Sequence, residues 1–582
     1  MKKLPGLLFL LIAFFTFSGS HSSSKLSRSM ESVMGRMSDK DSIVCWVFFT
    51  DKGPAPEVLL SSPEKLISQR SIDRRKKYLS PDKITDNSDL PVYAGYLNSI
   101  EKMGIRIKGK SKWLNSVSLK VAKTDIKKLE ALPFVSSIDL VTRYSKRYKA
   151  ETPAAPPNEG KALRGTKVLY DMDYGASLTQ NQMLQVPALH NLRITGQGVM
   201  IGVFDAGFNR LDHEAFQGLD IHATWDFVNG DPGVGDSLDM GEGSHGTNVL
   251  SSIAGYKPGS LIGPAFGATY ILAKTENTES ETPVEEDNWI AAIEWADSIG
   301  VDLVTSSLGY IEYDPPFQSY TWQNMDGNTA RITIAADLAV GKGIAVFVSA
   351  GNEGHHATRN TLGAPADGDS VVAVGAVDNT GSRAYFSSVG PTSDGRIKPD
   401  IMAMGQGVRV ASSWTTTGYG YSSGTSFSCP IAAGVAALIL SQRPWITPLE
   451  LTAALKSTAN NANNPNREYG WGIINALAAL NSIPVVSVND EASLPSGFKI
   501  LGNYPNPFNP STRVDFELSV ASPVTFELYN SAGERVISRS ENGFSAGRHS
   551  YDLSVGNINS GVYFLKITSA QGTGVLKLVL SR

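Results

Sequence analysis

Between about residues 185 and 485 one pattern recurs: a short, wholly apolar run followed by a stretch of helical periodicity. Val199–Phe204, Ala268–Ala273, Val301–Thr305 and Gly343–Val348 read as strands. His245–Ala254 and Glu285–Ser298 read as helices, and a further helix opens near Ser426 and runs to about Leu440. A strand with no polar side to turn toward water must be covered on both faces. The pattern therefore predicts an α/β region with a mostly parallel sheet between helical layers. Such sheets gather their chemistry just beyond the carboxyl ends of the strands.

The flanks have a different texture. Residues 21–150 are rich in Lys and Arg, with strand-like runs at Ile43–Thr50 and Trp113–Val121 and a helical pattern at Thr124–Leu132, so a small α+β domain is expected. Within it Arg74-Arg75-Lys76-Lys77 reads first as the solvated face of a helix and second as a processing site. Residues 151–184, opening on Glu151–Gly165 with Pro153, Pro156 and Pro157, read as a linker and the start of the next domain. From 495 to 582 short alternating runs, Arg513–Leu518 through Val575–Leu580, are separated by turn signals and suggest a small β-sandwich. At the other end, Lys2 and Lys3 precede the apolar run Leu7–Phe17 and then Ser18, Gly19 and Ser20. That order is expected of a secretory signal peptide over residues 1–20, the run being too short to span a bilayer.

Composition narrows the partners. A net charge of -4 on 582 residues offers no basic footprint for nucleic acid. Two cysteines, Cys45 and Cys429, cannot make a disulfide scaffold, so an exported chain of this kind relies on a large core.

Four positions in the α/β region bear chemistry. Asp205 ends the strand in Val203-Phe204-Asp205, where a carboxylate would sit at the mouth of the sheet; a turn Asp is the plainer alternative. His245 opens a helix in Gly243-Ser244-His245-Gly246 and suits a proton shuttle. No second His or Cys stands at ligand spacing, so no zinc site is expected there. Ser426, in Ser423-Gly424-Thr425-Ser426, starts an apolar helix whose amide end favours negative charge, although an N-cap serine looks the same. Asn352, in Ala350-Gly351-Asn352, follows a strand and could donate to an oxyanion together with the Ser426 amide.

With these residues in this order, the chain resembles the subtilisin family of serine proteases. Thr305-Ser306-Ser307-Leu308-Gly309, Phe386-Ser387-Ser388-Val389-Gly390, Ile397-Lys398-Pro399-Asp400 and Gly470-Trp471-Gly472 carry the likeness further, over roughly residues 180–485. The resemblance implies a three-layer α/β/α fold and a secreted serine endopeptidase acting through Asp205, His245 and Ser426, with Asn352 in the oxyanion hole. It implies that Ser307, Leu308 and Gly309 pair with the substrate backbone and that Ala350 and Gly351 line the primary specificity pocket. The chain departs at Asn248, where many relatives carry a second His. The resemblance makes the N-terminal α+β domain an inhibitory propeptide that assists folding and is later removed. Cys45 would leave with it, and Cys429 would remain as an unpaired, buried thiol. The C-terminal sandwich, with Tyr504-Pro505-Asn506-Pro507-Phe508-Asn509-Pro510 before its first strand, resembles the sorting domain of the type IX secretion system.

The expected partners are therefore protein or peptide substrates, the chain's own propeptide and the type IX secretion machinery, with export across an outer membrane. No cofactor is required for the chemistry, and structural calcium, frequent in the family, has no identifiable ligands. Two further expectations are surface positions for His355 and His356, and a cleft-bordering acidic run, Glu276–Asp287, that would favour basic substrate residues. A catalytically silent binding module on the same scaffold is the alternative function. An esterase is disfavoured because no Gly-x-Ser-x-Gly elbow is present.

Overall fold

The computed structural model describes residues 24–39, 41–77, 79–140, 170–235, 243–278, 284–311, 319–484, 498–506, 508–530, 534–556 and 558–580. The expected leader and the Glu151–Gly165 linker lie outside the described residues. The chain divides into two compact units, Met1–Ile483 and Pro484–Arg582.

After a short helix, Arg28–Met34, the first unit forms an antiparallel sheet of β1 (Ser42–Phe49), β2 (Ile107–Ser111), β3 (Ser116–Ala122) and β4 (Val135–Leu140), in the order β2-β3-β1-β4. Successive side chains of β1 point to opposite faces, and both faces are apolar. Cys45, Val47 and Phe49 pack with Ile126 and Leu129 of a helix over Lys123–Glu130. Val44 and Trp46, with Trp113 from the β2–β3 turn, instead join the core of the α/β domain. A long insertion between β1 and β2 carries helix α1 (Gln69–Lys76). Here the sequence expectation fails for half of the basic run. The Arg74 and Arg75 side chains are 1% exposed while that of Lys76 is 59% exposed. The cause is a carboxylate far along the chain, Asp297, which pairs with both arginines.

The α/β domain is built on seven parallel strands: β5 (Met200–Asp205), β6 (Asp220–Asp226), β7 (Thr269–Lys274), β8 (Leu303–Ser306), β9 (Ala345–Ser349), β10 (Val372–Val377) and β11 (Ile401–Met404). They stand in the order β11-β10-β9-β8-β5-β7-β6. On one face lie α2 (His245–Ala254) and α3 (Thr425–Gln442), packed through Val249, Ile253, Phe427 and Val435. On the other lie α4 (Val284–Ile299) and α5 (Arg331–Gly341), packed through Trp289, Ile293, Ile332 and Ala336. This is the three-layer arrangement expected. Strands β6, β10 and β11 and helix α5 extend it beyond the elements read from sequence. From β5 the chain moves first to β6 and β7 and then returns to build β8 to β11 on the other side. The strand order therefore reverses between β5 and β8, which is where an open α/β sheet leaves its crevice.

The second unit is a sandwich of a three-stranded sheet, led by Phe498–Tyr504, and a four-stranded sheet. Alternate residues Val514, Phe516 and Leu518 of one sheet meet Phe526, Leu565 and Ile567 of the other. The Tyr504–Pro510 motif thus begins on the last residue of the first strand rather than preceding it, a correction to the sequence reading. Its Asn506 side chain accepts from the Val579 amide at 2.8 Å and donates to the Lys577 carbonyl at 3.2 Å, pinning the motif to the last strand.

Candidate active site

Asp205 is the last residue of β5 and is completely buried. His245 is the first residue of α2, and its Nδ1 lies 2.6 Å from Asp205 Oδ1. That oxygen also accepts from the Ala206 amide at 2.7 Å, which fixes the carboxylate plane. A carboxylate at Nδ1 favours the tautomer with the proton there, which puts the ring's lone pair on Nε2.

Ser426 is the second residue of α3, so its amide is among the first-turn donors that no intrahelical carbonyl meets. The Phe427 ring beside it sits 5.9 Å, centroid to centroid, from the His245 ring. Among the described residues the Ser426 hydroxyl makes a long bond, 3.5 Å, to the Ser307 carbonyl. The Ser426 carbonyl is held differently. Pro430 lies four residues on and lacks the N–H that would normally bond it. The Ser307 hydroxyl donates to that carbonyl instead, at 2.8 Å. The proline stands in the second turn of the helix, and Ser307 offsets the bond it removes. Three residues after Ser426 in the same helix, Cys429 is a free, buried thiol, as anticipated, and burial pushes it up to about 12.

Asn352 follows β9 and is exposed. Its Oδ1 accepts from the Thr425 amide at 2.9 Å and from the Thr425 hydroxyl at 3.0 Å. With that end tied down, Nδ2 is the end left to donate. Thr425 is a positioning residue that sequence reasoning passed over, although its place between Gly424 and Ser426 was in view. Ser388 was likewise quoted without a role. Its hydroxyl accepts from the Glu353 amide at 3.1 Å and its amide donates to the Gly351 carbonyl at 3.0 Å. Gly351 has φ +110, and a Cβ there would stand 2.8 Å from the Ser388 hydroxyl, so only glycine fits.

Ser307, Leu308 and Gly309 continue directly from β8. Leu308 is buried and its carbonyl accepts from the Ser349 hydroxyl at 3.3 Å, while a Cβ on Gly309 would meet nothing within 4 Å. Ala350 is buried beneath the same loop, its amide donating to Val374 at 3.0 Å. Asn248 donates to the Ala411 carbonyl at 2.5 Å, and Ser251 accepts from the Ala411 amide at 2.8 Å. The departure from the family pattern thus serves to tie α2 to the strand Val408–Ala411.

Where they are described, the carboxylates of the acidic run are buried. Glu276 is buried and bonded by the Tyr310 hydroxyl. Glu286 is buried against the Ile332 amide, and Asp287 lies beside Gly109 of β2. Glu279 and Glu281 of the run lie outside the described residues, and Asp287 is covered by the N-terminal sheet, not by the α/β core. His355 is exposed, its Nε2 standing 3.3 Å from Glu468, whereas His356 is half-buried.

Residues 196–472 match the Subtilase family, residues 44–155 match the Peptidase S8 propeptide domain of Bacteroidota, and residues 503–581 match a secretion system C-terminal sorting domain. Subtilisin NAT of Bacillus subtilis subsp. natto is 35% identical over 298 residues, which span 51% of this chain and 69% of that protein. Subtilisin of Bacillus pumilus is 34% identical over 299 residues, 51% of this chain and 96% of the relative. A solved structure of proteases from Pseudoalteromonas arctica PAMC 21717 aligns over 53% of this chain and 99% of its own, at 24% identity and a TM-score of 0.42. The chain belongs to the subtilase family: it is a serine-type endopeptidase with an N-terminal propeptide and a C-terminal sorting domain.

Proposed function

We propose that this peptidase hydrolyses its protein substrates through Asp205, His245 and Ser426 by way of an acyl-enzyme. The observation that carries the reading is the 2.6 Å contact between His245 Nδ1 and the buried Asp205 carboxylate, at the reversal point of the sheet and beside the start of the Ser426 helix. His245 Nε2 takes the hydroxyl proton as Ser426 attacks the peptide carbonyl, and Asp205 stabilises the imidazolium that forms. The oxyanion is met by Asn352 Nδ2 and the Ser426 amide. His245 then protonates the leaving amine, and water releases the acyl group. Base, nucleophile and donors all come from the chain, so the chemistry is proposed to need no cofactor. Among the described residues no group of three or more His, Cys, Asp or Glu could hold a metal ion, and no calcium ligands are assigned.

The substrate backbone is proposed to lie along Ser307–Gly309, where Gly309 faces open space, with its primary side chain over Ala350 and Gly351. The sorting domain points to delivery by a type IX secretion system across an outer membrane, after export on the N-terminal leader. The silent binding module is not favoured, because Asp205, His245, Asn352 and Ser426 are all present.

Casein hydrolysis by the processed enzyme tests the reading. Ser426→Ala is expected to lower kcat about 10⁶-fold, the scale that subtilisin itself sets. A variant that keeps wild-type peptidase activity overturns the assignment.

A further inference from the structure

Helix α4 ends at Ile299, and the last carbonyls of a helix have no partner within it. Here they and the two that follow are met from the propeptide insertion. The Ser68 amide donates to Ser298 at 3.0 Å and the Ser68 hydroxyl to Ile299 at 2.7 Å. Arg70 Nε donates to Gly300 at 2.9 Å and Arg74 Nη1 to Val301 at 2.6 Å. Gly300 holds φ +104, and a Cβ there would stand 2.7 Å from the Ser71 amide, so the insertion is seated hard against the turn.

Asp297 stands in the last turn of α4, fully buried, where a negative charge opposes the helix dipole. Arg74 takes one of its oxygens and Arg75 the other, the latter at 2.7 Å. Arg75 also forks onto both oxygens of Asp89 at 2.8 Å, and Lys342 closes on Asp89 at 3.2 Å. Arg70 pairs with Asp302. The propeptide sheet docks elsewhere: its β2–β3 turn surrounds Glu294 in mid-helix, which accepts from the Ser111 hydroxyl at 2.6 Å and from the Lys112 and Trp113 amides at 3.0 and 3.1 Å.

We infer that the insertion between β1 and β2 is a second docking module, which caps the C-terminal end of α4 with Ser68, Arg70 and Arg74 and clamps Asp297 between two guanidiniums. Its binding partner is the enzyme's own helix end, recognised by paired arginines on a buried carboxylate and a run of carbonyls. The module retains the propeptide independently of the sheet, so the clamp sets how long a cut propeptide stays in place. The inference rests on the propeptide reading of residues 44–155 and not on the roles of the triad.

Hydrogen exchange on the full chain carrying Ser426→Ala, which keeps the propeptide attached, tests it without needing activity. Arg70→Gln is expected to speed amide exchange in residues 66–77 and 295–302 roughly tenfold, with Arg74→Gln larger, while residues 107–122 keep their protection. Lys76→Gln, on the exposed side of α1, is expected to change neither. Wild-type exchange at 295–302 in both arginine variants overturns the module, and so does equal loss of protection in the sheet. If Arg74→Gln does not fold, the half-exposed Arg70 decides the matter alone. A wild-type chain that never cuts itself would count against the protease reading and leave the clamp standing.

Discussion

Asp205 and Asp297 are both shut away from water, yet they are held in different ways. Asp205 meets an imidazole and a neighbouring amide on one oxygen, and its other oxygen accepts from none of the described residues. Asp297 has a guanidinium on each oxygen. A buried charge is costly unless paired, and removal of one partner strands the other. The comparison shows one fold holding the same side chain lightly at a strand end, where it is proposed to serve catalysis, and saturating it as an anchor at a helix end.

Substitutions can break that contrast. The largest effect is expected at Asp205→Asn, which keeps the shape but favours the wrong imidazole tautomer: kcat falls about 10⁴-fold with little change in unfolding. Steady-state kinetics on a peptide substrate, alongside a denaturant melt, check both halves. Asp297→Ala is expected to reverse the pattern by leaving Arg74 and Arg75 without that partner, costing the uncleaved chain about 3–5 kcal/mol in urea unfolding. Equal destabilisation by the two substitutions would erase the distinction.

The smallest effect sharpens the comparison through pH. Burial raises Glu286 to about 8, although the Ile332 amide and the Tyr320 hydroxyl pull the other way. Asp89 is held down at about 2, the Arg75 hydrogen bonds and Lys342 outweighing its burial. Between the ordinary Glu value and 8 the unfolded chain ionises and the folded chain does not, so stability from Glu286 is lost as pH rises through that window. Asp89 contributes stability above the ordinary Asp range that disappears as pH falls toward 2. Glu286→Gln is therefore expected to raise stability at pH 8 by on the order of 1 kcal/mol and to change little at pH 4. Thermal melts at the two pH values check it.

What could be read from sequence followed from locality. Val199–Phe204 is wholly apolar and ends on Asp205, and the glycines around His245 mark a helix start, so both positions were visible within a few residues. Strand Val372–Val377 carries Gly375, and Ile401–Met404 is only four residues long, so neither stood out as a run. In Phe498–Tyr504 an irregularity between Ile500 and Gly502 breaks the alternation that would mark a strand. The burial of Arg74 depends on a partner 223 positions away, which no local pattern could register. The same holds for Glu286 and Asp287, whose acidity along the chain said nothing about the face of α4 that would carry them.

The proline at 430 has a consequence for precision. By vacating the Ser426 carbonyl it lets Ser307 bolt the proposed nucleophile to the very segment proposed to grip the substrate. A substrate lying on that segment would then be carried with Ser426 whenever the sheet moves, because one hydrogen bond joins the two walls of the proposed gap.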